Sequence, residues 1–323
     1  MATPRLRRTR HIETVAAPPR RVYDLIADVT RWPQIFGPTV SVQRLDPPGA
    51  GGAAAERLRI WALANGEVRD WTSRRELDPA GMRIRFRQEV AAHPVAAMGG
   101  HWQVVPRPHG GALVVLDHDY RAVDDDEAAA RWIEQAIDRN SESELAALRD
   151  TAEMDGGRDE IWLSFADTVG VDGAAEDVYE LLARAERWPR RLPHVARLNL
   201  REDVPGIQHL EMDTRAPDGT VHTTSSVRVC VPHSHIAYKQ LVMPAVLRAH
   251  TGRWTIAVSG DGVLATSEHT VVLRPETIAE RLGPGVSLAE ARTRVRHALG
   301  TNSRATLGRA KAFAEARRLR RAA

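Results

Sequence analysis

Apolar and polar residues alternate with a period of two over most of the chain. In the first half this holds at 57–61, 68–77, 83–87, 102–106 and 112–120, and in the second at 208–216, 221–231, 236–242, 253–259 and 265–273. Such alternation predicts antiparallel strands with one face buried. The pattern changes in two places, and both changes predict a long helix. Asp124-Asp125-Asp126-Glu127 supplies side-chain acceptors and negative charge suited to a helix N-terminus; Trp132, Ile133, Ala136, Ile137, Leu145 and Leu148 follow as an apolar stripe. Ser287-Leu288-Ala289-Glu290 has the spacing of a capping box, and Leu288, Ala291, Val295, Leu299, Asn302, Ala305 and Phe313 recur after it at helical intervals. A helix of about 25 residues spans about 38 Å, enough to lie across a curved sheet.

The two halves repeat each other. Glu13-Thr14-Val15, Arg21-Val22-Tyr23-Asp24-Leu25-Ile26 and Trp32-Pro33 answer to Asp167-Thr168-Val169, Asp177-Val178-Tyr179-Glu180-Leu181-Leu182 and Trp188-Pro189, an offset of 156 residues. Trp71-Thr72-Ser73-Arg74-Arg75 matches Thr224-Ser225-Ser226-Val227-Arg228, and Gly100-His101-Trp102 matches Gly252-Arg253-Trp254. The offset is too long for a solenoid unit and fits a duplicated domain. Each half reads as a strand (9–16 or 161–170), a helix near 22–27 or 178–183, and a Trp-Pro turn, where proline disfavours helix in the residue before it. Alternating strands and the long helix complete the half. That order describes the helix-grip architecture, an α+β fold in which a curved antiparallel sheet and a C-terminal helix enclose a cavity. Two such domains are expected, at 1–155 and 160–323, with a linker at 151–160.

Composition narrows the functional classes. With 323 residues, 43% hydrophobic and 27% charged, the chain has room for two globular cores. The single cysteine, Cys230, excludes an intrachain disulfide scaffold and points to a reducing compartment. No run of about 18 apolar residues exists, so no membrane span is expected. The basic residues near the N-terminus are not followed by an apolar core, so no secretory signal is expected either. Basic and acidic residues number 45 and 42, and all the basic ones but Lys239 and Lys311 are arginines. They are scattered among acids except at Arg317, Arg318, Arg320 and Arg321. Without a concentrated basic face or a reading motif, no nucleic-acid partner is expected. His233 and His235 lack a third ligand at convincing spacing, so no metal is expected. No glycine-rich phosphate-binding motif is present, and no cofactor is expected.

The candidate chemistry lies on one strand. Residues at i, i+2 and i+4 point to one face, so Trp71, Ser73 and Arg75 project together, while Asp70, Thr72 and Arg74 take the other face. A surface strand with a solvated arginine and a cavity wall with a buried one both fit that pattern. Recurrence of Ser226 and Arg228 at the equivalent place favours the cavity. Trp32, Trp61, Trp71 and Phe86 suit flat walls or simple core, and Trp102 and Trp254 read as core. Thr224 in place of Trp71 makes the second pocket wider or more polar.

A tandem pair, each half with Val-Tyr, then Trp-Pro, then an aromatic-or-Thr-x-Ser-x-Arg strand, resembles the di-domain aromatase/cyclases of bacterial type II polyketide synthases, within the START/Bet v 1-like superfamily. The resemblance implies a cyclisation role for Arg75 and Ser73 and, in the second half, for Arg228 and Ser226. Trp32, Trp61, Trp71, Phe86 and Thr224 would then touch substrate. It implies aldol closure of the first ring, between carbons 7 and 12 of a reduced poly-β-ketone, and dehydration to an aromatic ring. It further implies a chain delivered by an acyl carrier protein, with a ketosynthase and ketoreductase of the same synthase, in the cytoplasm. A guanidinium stays cationic and can stabilise an enolate or alkoxide as charge develops. The fuller constellation of the first half is expected to do the chemistry. The rival reading is a non-catalytic carrier of a hydrophobic small molecule.

Overall fold

The computed structural model describes residues 6–46, 55–154, 158–215, 219–260 and 262–322. The chain divides into two units, Met1–Gly156 and Gly157–Ala323. In the first, β1 (Arg7–Val15) leads to helices α1 (Pro19–Ala27) and α2 (Trp32–Ile35). Strands β2 (Thr39–Arg44), β3 (Ala55–Ala64), β4 (Glu67–Asp78), β5 (Arg83–Val90), β6 (Val95–Pro106) and β7 (Ala112–Ala122) precede the long helix α3 (Glu127–Glu153). The second unit has α4 (Arg158–Ile161), β8 (Trp162–Val171), α5 (Ala175–Ala183) and α6 (Trp188–Arg191). Its remaining strands are β9 (Val195–Val204), β10 (Ile207–Arg215), β11 (Val221–Val231), β12 (His235–Val242), β13 (Leu247–Ser259) and β14 (Gly262–Leu273), followed by α7 (Ile278–Leu282) and α8 (Leu288–Ala322). The two sheets have the same topology, β1-β7-β6-β5-β4-β3-β2 and β8-β14-β13-β12-β11-β10-β9. Every pairing in them is antiparallel. Each unit is thus a seven-stranded antiparallel sheet with a long C-terminal helix, as the alternation predicts.

Three local features depart from the expectation. Strand β2 was not anticipated because it buries Thr39, Val40 and Ser41 in succession, which erases the period of two. Strand β9 is an edge strand in which Val195 alone is fully buried. The linker is shorter than 151–160, since α3 runs to Glu153 with Thr151 and Ala152 buried; residues 155–157, like Ala216 at the end of one expected strand, lie outside the described residues.

Both long helices begin where their caps place them. Asp126 accepts from the Ala129 amide at 2.6 Å. Ser287 and Glu290 bond reciprocally, with the Glu290 amide donating to Ser287 Oγ at 3.2 Å and the Ser287 amide donating to Glu290 Oε2 at 2.8 Å. Helix α3 buries Ile133 and Ile137 against Tyr120 and Ala122 of β7. Helix α8 buries Leu307, Ala310 and Ala314 against Val178, Leu181 and Leu182 of α5. Each large side chain so buried contributes about 1.5–3 kcal/mol. Near its end, Arg317 and Arg321 pair with the buried Asp177, which commits part of the terminal arginine cluster to the fold.

One glycine in each sheet makes room for an aromatic ring. Phe86 faces Gly100 across β5 and β6, and Tyr238 faces Gly252 across β12 and β13. A Cβ at Gly100 would lie 2.8 Å from the Phe86 ring and overlap the Asp117 carbonyl oxygen. Gly100→Ala is therefore expected to lower stability by about 1–3 kcal/mol, the usual range for overpacking. Gly170→Ala, with no heavy atom within 4 Å beyond its chain neighbours among the described residues, is expected to stay within about 0.5 kcal/mol of the parent in urea unfolding. Equal midpoints for the two variants would contradict this packing.

Candidate active site

The first unit encloses a cavity of about 170 Å3 between its sheet and the helices α2 and α3. Strand β4 supplies Arg69, Trp71, Ser73 and Arg75 to its wall, as strand alternation requires. Exposure falls along that row. The Arg69 side chain is 35% exposed, whereas Ser73 and Arg75 are 3% and 2% exposed. The cavity is therefore open near Arg69 and closed at Arg75. At the open end β3 and β4 are joined by Asn65-Gly66, both with positive φ (51 and 84°), the pair that a type I′ hairpin favours. Asn65 Nδ2 donates to the Trp132 carbonyl at 3.0 Å and Asn140 Nδ2 to the Leu63 carbonyl at 2.9 Å, tying this hairpin to α3.

At the closed end, Arg75 is held on all sides. Its Nη1 donates to the Ile26 carbonyl at 3.0 Å and its Nη2 to the Ala27 carbonyl at 2.7 Å. These are end carbonyls of α1, which a cation satisfies well. Nε donates to Glu56 Oε1 at 3.0 Å, and Nη2 bonds the same oxygen. The guanidinium carbon lies 5.0 Å from the centre of the Trp32 ring, and Trp32 Nε1 donates to the same Ile26 carbonyl at 3.1 Å. Of the five guanidinium N–H groups, one on Nη1 remains uncommitted among the described residues. Burial pushes the Arg75 pKa down and Glu56 opposes it; the group stays cationic. Burial would raise the Glu56 carboxyl, but Arg75 and Arg44 together hold it below the usual carboxylate range.

The other expected residues divide. Ser73 Oγ donates to the Arg87 carbonyl at 3.2 Å. Trp32, Trp71 and Phe86 border the cavity. Trp61 does not. Ile60 and Ala62 take the cavity side of β3, so Trp61 points to the opposite face, where the Arg59 guanidinium covers it at 4.8 Å. Trp102, read as core, is buried and stacked on Phe36, and it also borders the cavity. His118 is a residue the sequence reading missed. It lies on β7 opposite Gly100, packs edge-on to Phe86 at 5.4 Å, and faces the cavity. Burial lowers its pKa to about 4, so the imidazole is neutral at physiological pH. Its Nδ1 has no partner among the described residues. Its counterpart His269, on the equivalent strand β14 opposite Gly252, was the available signal.

The second unit repeats the arginine but not its surroundings. Arg228 Nη2 donates to the Leu182 carbonyl at 2.5 Å, and the guanidinium lies 5.0 Å from the Trp188 ring centre. Gln208 takes the register place of Glu56, and its Nε2 donates to the Ala183 carbonyl and to Glu202. Arg228 Nε and Nη1 have no partner among the described residues. Ser226 is buried beside it, and Thr224 is half-buried, with Oγ1 donating to the Met212 carbonyl at 3.4 Å. Where the first unit has Phe86 and His118, this one has Tyr238 and His269, with hydroxyl and Nδ1 2.9 Å apart. His269 Nε2 lies 2.6 Å from Ser303 Oγ, and His250 Nε2 lies 3.0 Å from His269 Nδ1. A buried polar knot therefore replaces apolar wall. Burial lowers the pKa of His250 to about 3 and of His269 to about 4.

Comparison with known proteins gives a consistent picture. Residues 5–153 and 171–308 each match a family described as polyketide cyclase/dehydrase and lipid transport. The chain is 46% identical to the granaticin polyketide synthase bifunctional cyclase/dehydratase of Streptomyces violaceoruber, covering 95% of this chain and 94% of that one. It is 44% identical to the actinorhodin polyketide synthase bifunctional cyclase/dehydratase of Streptomyces coelicolor, covering 97% and 99%. Among solved structures, the di-domain ARO/CYC BexL superposes with a TM-score of 0.82 at 53% identity, and the di-domain ARO/CYC StfQ of the steffimycin pathway with 0.81 at 35%. Each covers 96% of this chain and 99% of its own.

Two stability effects follow from these charges. Because Glu56 is more acidic folded than unfolded, its contribution is complete above the ordinary carboxylate range and is lost as pH falls through its folded value. Glu56→Gln, which leaves Arg75 without its counter-ion, is expected to cost about 3–5 kcal/mol at pH 7. The gap to the parent should narrow below about pH 4, as urea unfolding at several pH values would record. The buried histidines act through the opposite charge. Their unfolded forms protonate first, near 6.5, so stability falls from there toward pH 4. Each contributes a slope of up to about 1.4 kcal/mol per pH unit, and His250→Gln should remove one such contribution.

Proposed function

The chain belongs to the polyketide cyclase/dehydrase family and is a polyketide cyclase/dehydratase; from that premise we propose that it closes and aromatises the first ring of a reduced poly-β-ketone, between carbons 7 and 12, in the cavity of its first unit. The substrate would arrive on an acyl carrier protein, downstream of the ketosynthase and ketoreductase of the same synthase, in the cytoplasm. The observation that carries the reading is the meeting of Trp71, Ser73, Arg75 and the neutral His118 in one cavity.

A poly-β-ketone has acidic methylenes between carbonyls. In the proposed sequence the His118 imidazole accepts a methylene proton, and the enolate carbon attacks the partner ketone. A carbon–carbon bond forms, and the ketone oxygen becomes an alkoxide that takes the proton back from the imidazolium. The β-hydroxy ketone then loses its α-proton to the same imidazole, and the imidazolium returns that proton to the departing hydroxyl, which leaves as water; loss of the reduced carbon's hydroxyl as a second water and enolisation of the ring ketone complete the aromatic ring. Arg75 is the fixed positive charge toward which these oxyanions develop, reached through its remaining Nη1 N–H. Trp32, Trp71 and Phe86 restrict the folding of the chain so that one carbon pair meets. Arg228 has a lesser role, in a unit whose interior is a polar knot.

One observation favours the carrier reading, namely that four of the five Arg75 N–H groups are committed to the protein. A reconstituted minimal synthase with a ketoreductase separates the two. His118→Gln is expected to lower the yield of correctly aromatised product about 100–10,000-fold relative to shunt products. Arg75→Ala is expected to abolish it, Arg75→Lys to restore it only in part because lysine lacks the planar fork, and Arg228→Ala to impair it less. Circular dichroism checks folding. The carrier reading requires that adding the parent protein change neither the ring pattern nor the yield; unchanged product in folded His118→Gln and Arg75→Lys would remove both residues from the chemistry, and a larger loss in Arg228→Ala would move the site to the second unit.

A further inference from the structure

Beside Ser73 the cavity wall carries a buried acceptor that the protein does not satisfy. Strands β4 and β5 slip by one residue between Thr72 and Ser73, so Thr72 faces Val90 while Ser73 faces Gln88. A bulge of this kind re-aims side chains, and such bulges are enriched near functional sites. Gln88 borders the cavity, and its Nε2 donates to Met98 Sδ at 3.4 Å. A thioether sulfur only accepts, which fixes the orientation of the amide and leaves the oxygen as its other end. That oxygen, Oε1, is buried without a partner among the described residues. Ser73 gives its own proton to the Arg87 carbonyl, so toward the cavity it offers lone pairs alone.

The same device stands in the second unit. Register slips between Ser225 and Ser226, Ser226 faces Gln240, and Gln240 Oε1 is again buried without a partner among the described residues. An unsatisfied buried carbonyl destabilises a fold. Two copies at one register position of a duplicated sheet therefore point to a ligand that completes them.

We propose that Gln88 is a specificity-determining residue that accepts a hydrogen bond from a hydroxyl of the bound chain. A ketone at that point would set its oxygen against Gln88 Oε1 and the Ser73 lone pairs, three acceptors with no donor between them. An alcohol supplies the donor. Gln88 would thus read the hydroxyl that the proposed reduced substrate carries. This inference rests on the first-unit cavity being the site of ring closure.

The test uses the full chain and two rings that differ in one proton donor, 2-naphthol and 2-methoxynaphthalene, titrated by calorimetry. The parent is expected to bind 2-naphthol about three- to tenfold more tightly, the increment of one hydrogen bond. Gln88→Leu should bind both alike, with Gln88→Met in its place if the leucine variant does not fold. Gln88→Glu retains an acceptor oxygen and should keep the preference. An equal preference in the parent and in Gln88→Leu, no preference in the parent, or loss of preference in Gln88→Glu would each overturn Gln88 as the reader and leave the ring-closure reading standing. If neither compound binds the parent, the cavity reading falls with it.

Discussion

A buried guanidinium fastens one helix of each unit, α1 or α5, to its sheet. The last carbonyls of α1 end inside the protein, where water is not at hand, and Arg75 supplies the missing N–H groups to Ile26 and Ala27. The Trp-Pro turn brings the Trp32 ring against the guanidinium and bonds the same carbonyl, and Glu56 provides the counter-charge. With α1 and α2 fixed in this way, Trp32 and Phe36 close one end of the cavity. Fold and site thus share one interaction, and loss of Arg75 removes a helix clamp together with a positive charge.

The two units show what that frame leaves free. Both keep the arginine, the tryptophan beneath it, the serine two residues before it and the glutamine across from that serine. The surroundings diverge. Glu56 gives way to Gln208, which leaves two guanidinium nitrogens of Arg228, Nε and Nη1, unpartnered among the described residues. Phe86 and Met98 give way to Tyr238 and His250, which join His269 and Ser303 in a hydrogen-bonded cluster. Removing charges from water is costly unless each is paired, and the second unit depends more on hydrogen bonds among neutral groups.

Much of this was legible in the chain itself. The 156-residue repeat, the alternating strands and the Ser287–Glu290 box led to two sheets, each with a long helix, because these signals are local and periodic. The shared face of Trp71, Ser73 and Arg75 was legible for the same reason. Trp61 was misplaced because an aromatic residue on the outer face of a sheet can be covered by an arginine guanidinium, which composition does not reveal. Glu56 and Gln88 were missed because they meet Arg75 and Ser73 across strands, and His118 because it reaches the same cavity from β7, at separations fixed by sheet register and a bulge rather than by sequence spacing.

The most direct test is a crystal structure of the protein soaked with the proposed aromatised first-ring product. The expected result is product in the first-unit cavity, packed between Trp71 and His118, with the bonds from Arg75 to Glu56, Ile26 and Ala27 intact. Product bound only in the second unit, or Arg75 swung away from α1 to reach it, would contradict a site built around a guanidinium that the fold itself holds.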